Sequence, residues 1–296
     1  MKVLITGSNG FLGYYLTGQL LAKGFDVIAT GKGECRLPFY GNRKFQYMSM
    51  DFTDPFIVHD VFVKCKPDIV IHAGAMSRVD ECELHQWQAY SVNVEGTLNV
   101  LMNAAEHRCF FIFISTDFIF DGEKELYKED DLSVPVNFYG KTKLEAEEAV
   151  KEYEFEWAIV RTVLVYGKPI SGRSNILSVV KEKLEKGEEY KVVDDQVRTP
   201  TYVEDLAAGI ISIIEKKAKG IYHISGEDAL TPYQMACRTA DYLKLDKFLI
   251  KRVTAADFSQ PARRPPKTFF VIEKAKKELN YQPLSFEKGL QKTFAG

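Results

Sequence analysis

From residue 3 to residue 22 the chain carries no charge, and Lys2 and Lys23 flank the stretch. A run of about 20 uncharged residues is long enough for a membrane helix. Its composition forbids that reading. Gly7, Gly10, Gly13 and Gly18 are interleaved with Thr6, Ser8, Asn9, Thr17 and Gln19. The stretch divides instead into a strand at 3–6, a glycine turn and a helix over 11–23. A strand joined to a helix through so tight a turn commits the chain to a fold in which the two elements alternate.

The alternation continues. Strands are expected at 26–30, 45–49, 68–73, 110–115 and 157–162. Helices are expected at 83–107 and 137–153, and from Thr53-Asp54-Pro55, where a capping side chain precedes a proline in the first turn. Continuous apolar strands such as FFIFIS suit a parallel sheet covered on both faces. The pattern therefore predicts an α/β, doubly wound parallel-sheet Rossmann domain. Beyond Gly167 the alternation is less regular, although 190–193 and 220–224 still read as strands. Pro261, Pro265 and Pro266 interrupt the last third. The expected division is a dinucleotide-binding domain of 1–167 and 197–224, and a smaller C-terminal substrate-binding α/β lobe of 168–196 and 225–296. The acidic run 123–131 reads as a solvated loop.

Composition excludes several functions. The net charge is −2, so no global field exists to hold a nucleic acid. The five cysteines, Cys35, Cys65, Cys82, Cys109 and Cys237, form no CxxC pair. A reducing cytoplasm is expected, with no membrane partner. The five histidines make no HExxH motif, and no metal site is expected.

Gly7, Gly10 and Gly13 form GxxGxxG at the first strand–helix junction, with Asn9, Phe11 and Leu12 completing the turn. Glycines there let the backbone approach a pyrophosphate, and the helix N-terminus favours its charge. The second strand ends Ala29-Thr30-Gly31-Lys32 without the carboxylate that repels a 2′-phosphate. Lys32 points to NADPH, with NADH possible. Asp51 and Phe52 end the third strand, where adenine is expected. Ala73, Gly74 and Ala75 end the fourth with small residues.

Tyr139 and Lys143 stand at i and i+4 of a predicted helix and so share a face. A neighbouring ammonium stabilises a phenolate and adapts tyrosine to proton transfer near neutrality. Ser115 and Thr116 end a buried strand, where ligands of parallel sheets bind. Thr116 can then hydrogen-bond a substrate carbonyl while Tyr139 delivers a proton.

These residues resemble an extended short-chain dehydrogenase/reductase. Ser115-Thr116-Asp117-Phe118-Ile119-Phe120-Asp121-Gly122 resembles the STDYVFDG signature of the dTDP-4-dehydrorhamnose reductase family. Tyr127, Glu129, Asp131, Pro135, Asn137, Arg161-Thr162, Val165-Tyr166-Gly167, Asp195-Gln196, Pro200-Thr201 and Arg264-Pro265 continue its pattern. The resemblance implies reduction of a nucleotide-linked 4-keto-6-deoxy sugar by hydride transfer to C4. Thr116, Tyr139 and Lys143 would be catalytic. Tyr139, Lys143 and Ser115 would also touch the cofactor, and Met76, Ser77, Thr116, Asp117, Phe118, Tyr139, Leu164, Arg198 and Arg264 the substrate. A monomer or homodimer is expected. Two positions depart from the family. Leu164 stands where RTSWVYG has tryptophan, and Arg198 replaces the glycine of DQxGxPT, adding charge near the expected nucleotide.

The remaining conspicuous residues have plainer readings. His72 is expected to pack near the cofactor, and His223 to be a satisfied core histidine. Cys82 and Cys109 read as buried small hydrophobes, and Trp87 and Trp157 as packing residues. Arg264 is a candidate phosphate ligand against a surface arginine. Two alternative functions remain open. One is a sugar-nucleotide epimerase; a dehydratase is disfavoured because Phe118 follows Asp117 where its second acid would stand. The other is a regulatory binding subunit, since the regulatory subunit of methionine adenosyltransferase resembles the same reductases.

Overall fold

The computed structural model describes residues 1–170, 174–258 and 260–295. In chain order the elements are β1 (Lys2–Thr6), α1 (Phe11–Ala22), β2 (Asp26–Gly31), β3 (Phe45–Ser49), α2 (Pro55–Cys65), β4 (Ile69–His72), α3 (Val79–Leu84), α4 (Gln86–Tyr90), α5 (Gly96–Glu106), β5 (Phe110–Thr116), α6 (Phe138–Lys151) and β6 (Trp157–Thr162). There follow β7 (Val165–Tyr166), α7 (Ile176–Glu185), β8 (Tyr190–Val193), β9 (Val197–Arg198), β10 (Thr201–Tyr202), α8 (Val203–Lys216), β11 (Gly220–His223), α9 (Pro232–Leu243), β12 (Ile250–Val253), β13 (Lys267–Thr268), α10 (Glu273–Leu279) and α11 (Phe286–Phe294).

Seven strands form one sheet in the order β11-β6-β5-β4-β1-β2-β3, all pairs parallel. The Rossmann expectation holds. The order reverses beside β1, and there the carboxyl ends of β1 and β4 open a crevice. Val3 and Ile5 of β1 face α1 and α8 in one core layer, while Leu4 faces α2 and α5 in the other. That two-sided burial explains strands without alternation. A smaller group, α7, α9, β8, β12 and α11, packs around Val180, Leu184, Ala236, Leu290 and their neighbours. Among the described residues no helix is long and apolar enough to cross a membrane.

Several expectations need correction. The helix expected over 83–107 begins at Val79 and is broken twice. His85 leaves helical geometry at φ −124° and ψ 57°, and residues 91–95 form a π turn before α5. Periodicity alone does not reveal such interruptions. The acidic loop is not solvated throughout. Tyr127 is buried, and its backbone hydrogen-bonds Phe269 and Val271. His223 is buried against Phe270, ring centroids 3.8 Å apart, but neither ring nitrogen has a hydrogen-bond partner among the described residues. It is a core histidine, not a satisfied one. Cys82 and Cys109 are buried as expected. Trp157 is half-buried, whereas Trp87 is 79% exposed and packs no core.

Candidate active site

The glycine turn is built by close approach. Gly7 has φ +67°, and a Cβ there would lie 2.8 Å from Gly74 Cα. A Cβ on Gly13 would lie 2.5 Å from Ser8 Cα. These contacts draw the turn against the ends of β1 and β4 and leave Gly10, which has no capping side chain, at the N-terminus of α1. Thr6 Oγ1 accepts hydrogen bonds from Ala73 N and Gly74 N, which fixes the second small-residue turn. Asn9 is hydrogen-bonded within the chain. Its amide donates to Glu34 O and Tyr47 Oη and accepts from Arg36 N, so its side chain ties down the loop after β2.

Two cavities meet at this turn, and both are lined by Gly7 and Ala75. The first, of about 550 Å³, contains Lys32, Asp51, Phe52, Gly74 and Met76. Met76, expected on the substrate side, lies here, its backbone held by Asn93. Lys32 Nζ is 2.7 Å from Asp51 Oδ2. Burial opposes the Asp51 charge, but Lys32 and Thr53 outweigh it and hold the carboxyl below its usual range. Phe52 is locked edge-on between Gly74 and Gly96, where Cβ atoms would come within 2.5 and 2.6 Å of its ring. His72 lies beneath, hydrogen-bonded to Thr6 and Thr97 and stacked on Phe113. Burial, reinforced by Lys143, lowers its pKa to about 3, so it stays neutral and packs as expected.

The second cavity, of about 370 Å³, brings together Phe11, Leu12, Ser77, Ser115, Thr116, Phe118, Tyr139, Lys143 and Leu164. A close backbone approach creates this meeting. A Cβ on Gly140 would lie 2.1 Å from Phe118 O, so only glycine lets α6 settle on the turn after β5. Asn137 caps α6 through Gly140 N and binds Arg263 O. Tyr139 and Lys143 then face the end of β5. Lys143 is buried with Nζ 3.9 Å from the Phe113 ring centroid. Burial lowers its pKa to about 7, against an upward pull from Glu147 one turn away. Glu147 is itself fully buried and paired with buried Arg161, at 2.7 Å.

A dinucleotide fits these observations. The Gly7–Gly74 cradle would be filled by any Cβ. Ser115 Oγ is buried at the cavity wall and has no hydrogen-bond partner among the described residues, and the Lys143 ammonium lies on a ring face. Hydroxyl and carboxamide groups of a nicotinamide ribonucleoside would complement both.

The remaining expected residues are held by their own neighbours. Thr116 Oγ1 lies 3.2 Å from Asp117 Oδ1 and accepts from Phe118 N. Asp117 is buried, and burial raises its pKa despite Arg198 and Thr268. Arg198 lines neither cavity. Its buried guanidinium donates to Pro265 O and Val197 O and lies 3.7 Å from Asp117. Arg264 is not a loose surface arginine. It forms a two-pronged pair with Asp80, at 3.0 and 2.6 Å. Leu164 sits on the cleft rim, 38% exposed and at φ +31°.

Sequence reasoning missed Asn175, which lines the same cavity, caps α7 and donates to Gly167 O. Its position before the apolar Ile176-Leu177 is a capping signal that was available. It also missed Tyr47, Asn93 and Glu147, whose partners are distant in sequence.

The family described as RmlD substrate binding domain matches residues 1–296. The chain is 31% identical over 259 residues to methionine adenosyltransferase 2 subunit beta of Bos taurus, covering 86% of this chain and 75% of that one. It is 30% identical over 303 residues to dTDP-4-dehydrorhamnose reductase of Aggregatibacter actinomycetemcomitans, covering 98% and 97%. Among solved structures it is similar to dTDP-4-dehydrorhamnose reductase from Bacillus anthracis in complex with NADP, at 30% identity and TM-score 0.87, covering 99% and 98%.

Proposed function

The chain belongs to the RmlD substrate-binding-domain family, and from that membership we propose that it is an NAD(P)H-dependent oxidoreductase reducing the 4-keto group of a nucleotide-linked 6-deoxy sugar. The observation that carries this reading is the convergence of the glycine turn, Thr116, Tyr139 and Lys143 on one cleft. Residues 1–167 and 197–224 would hold the dinucleotide, and 168–196 and 225–296 the sugar nucleotide.

When bound, the reduced nicotinamide supplies a hydride. Tyr139 donates its proton to the C4 oxygen as negative charge develops there. Thr116 holds that oxygen by a hydrogen bond. Lys143 in its ammonium form stabilises the tyrosinate left behind, and Glu147 favours that form. Holding the ketone beside the nicotinamide supplies much of the rate by orientation alone.

The test is NADPH and NADH oxidation with dTDP-4-keto-6-deoxy sugars generated in place, with Tyr139→Phe as control. Turnover that the substitution abolishes supports the reading. A second reading, a regulatory binding subunit, is favoured by the similarity to methionine adenosyltransferase 2 subunit beta and by Leu164 at the cleft rim. It requires a bound synthetase partner and no turnover of any keto sugar.

A further inference from the structure

Trp87 is the most exposed aromatic side chain beside the candidate cofactor cleft. It stands on α4 with its indole 79% exposed, yet it lines the cavity that contains Lys32, Asp51, Phe52 and Gly74. Two helix interruptions flank it. The break at His85 restarts the helix before Trp87, and the π turn at 91–95 restarts it after. Such local departures from α geometry recur where a segment is re-aimed at a functional site. Phe56 and Phe248 are as exposed, so what singles out Trp87 is its place on the wall of this cavity. The cavity supplies what a purine needs. It has an aromatic edge in Phe52, a carboxylate acceptor in Asp51 and a cation in Lys32.

The occupant follows from continuity. Gly7 and Ala75 line both this cavity and the one holding Tyr139 and Lys143. A ligand with two nucleoside halves joined by a pyrophosphate would put its centre on the glycine turn and one half in each cavity. We infer that Trp87 is a positioning residue that covers the adenine half of the dinucleotide, opposite the Lys32–Asp51 pair. Aromatic stacking tolerates either phosphorylation state of the ribose, because every base presents a π face. Trp87 therefore strengthens NADPH and NADH binding alike, and any choice between them is left to Lys32 and Asp51. This inference rests on the dinucleotide reading of the cleft.

The chain has two tryptophans, which makes the test direct. Trp157 begins β6 at the opposite, amino-terminal edge of the sheet, beside Arg108 and Lys219. In full-length Trp157→Phe protein, all indole emission comes from Trp87. Titration with NADPH, NADH and 2′,5′-ADP is expected to quench it, the last without any nicotinamide. By calorimetry, Trp87→Ala is expected to raise the Kd of NADPH and NADH by a similar factor, about tenfold, and Trp87→Phe to restore most of the loss. Dinucleotide binding with unchanged Trp87 emission and an unchanged Kd in Trp87→Ala would overturn the inference and leave the cofactor reading standing. Failure of the wild-type chain to bind any dinucleotide by calorimetry would overturn both.

Discussion

Replacing Lys143 with methionine should abolish turnover and yet make the unliganded protein more stable at neutral pH. Lys143 is buried, and its pKa falls from 10.5 to about 7 on folding. Above pH 10.5 both folded and unfolded chains carry a neutral amine, and the group costs nothing. As pH falls from 10.5 towards 7, the unfolded chain takes up a proton that the folded chain resists. Stability is lost across that window, and below pH 7 the full penalty remains. At 1.36 kcal/mol per pKa unit the penalty is about 4 kcal/mol at pH 7 and about 1 kcal/mol at pH 10. Methionine has a similar length, no charge, and a thioether that packs well on the Phe113 ring. Loss of the ammonium–ring contact, 3.9 Å in length, offsets about 1 kcal/mol. Lys143→Met should therefore gain about 3 kcal/mol at pH 7, a rise in Tm on the order of 10 °C, and the gain should shrink to about 1 kcal/mol at pH 10, where the folded amine is neutral and no ammonium–ring contact is lost. The assay is urea and thermal denaturation of both proteins without cofactor at the two pH values. A variant less stable than wild type at pH 7, or a gap that does not narrow towards pH 10, would refute the reasoning.

Three further outcomes are expected. Glu147→Gln leaves the buried Arg161 charge uncompensated and should lose about 3–5 kcal/mol in denaturant titrations. The same change removes an upward pull on the Lys143 pKa, so the fall of kcat/KM above about pH 7 should move to lower pH. Lys32→Ala should weaken NADPH binding severalfold, the scale of about 1 kcal/mol for an exposed charge contact, and leave NADH binding unweakened; equal losses for both cofactors would remove Lys32 from the phosphate site. Arg264→Ala and Asp80→Ala should each cost about 1 kcal/mol, because the pair is partly exposed. If Arg264→Ala alone raises the KM for the sugar nucleotide, Arg264 binds phosphate after leaving Asp80.

The elements that position the site were legible because they are encoded locally. The uncharged segment with its glycines specified strand, turn and helix before any contact was known. Thr53-Asp54-Pro55 marked the start of α2, and Asp54 does accept from Phe56 N and Ile57 N. The i, i+4 spacing put Tyr139 and Lys143 on one helix face, and the FFIFIS strand announced a sheet covered on both sides. Helical and extended periodicities report which face is buried, and that information travels with the sequence.

Only the tertiary structure decided which distant groups meet. Arg264 finds Asp80 across 184 residues, and Arg198 turns into the carbonyls of the proline segment; no local pattern distinguishes an arginine that binds a ligand from one that binds its own chain. Tyr139 reaches the end of β5 because Gly140 has no side chain to strike Phe118 O. Trp87 lies on a short helix between two interruptions, and Lys143 is shifted because α6 buries it against Phe113. Desolvation and polar partnership are properties of three-dimensional surroundings. They set the chemistry of residues that the sequence could identify but could not place.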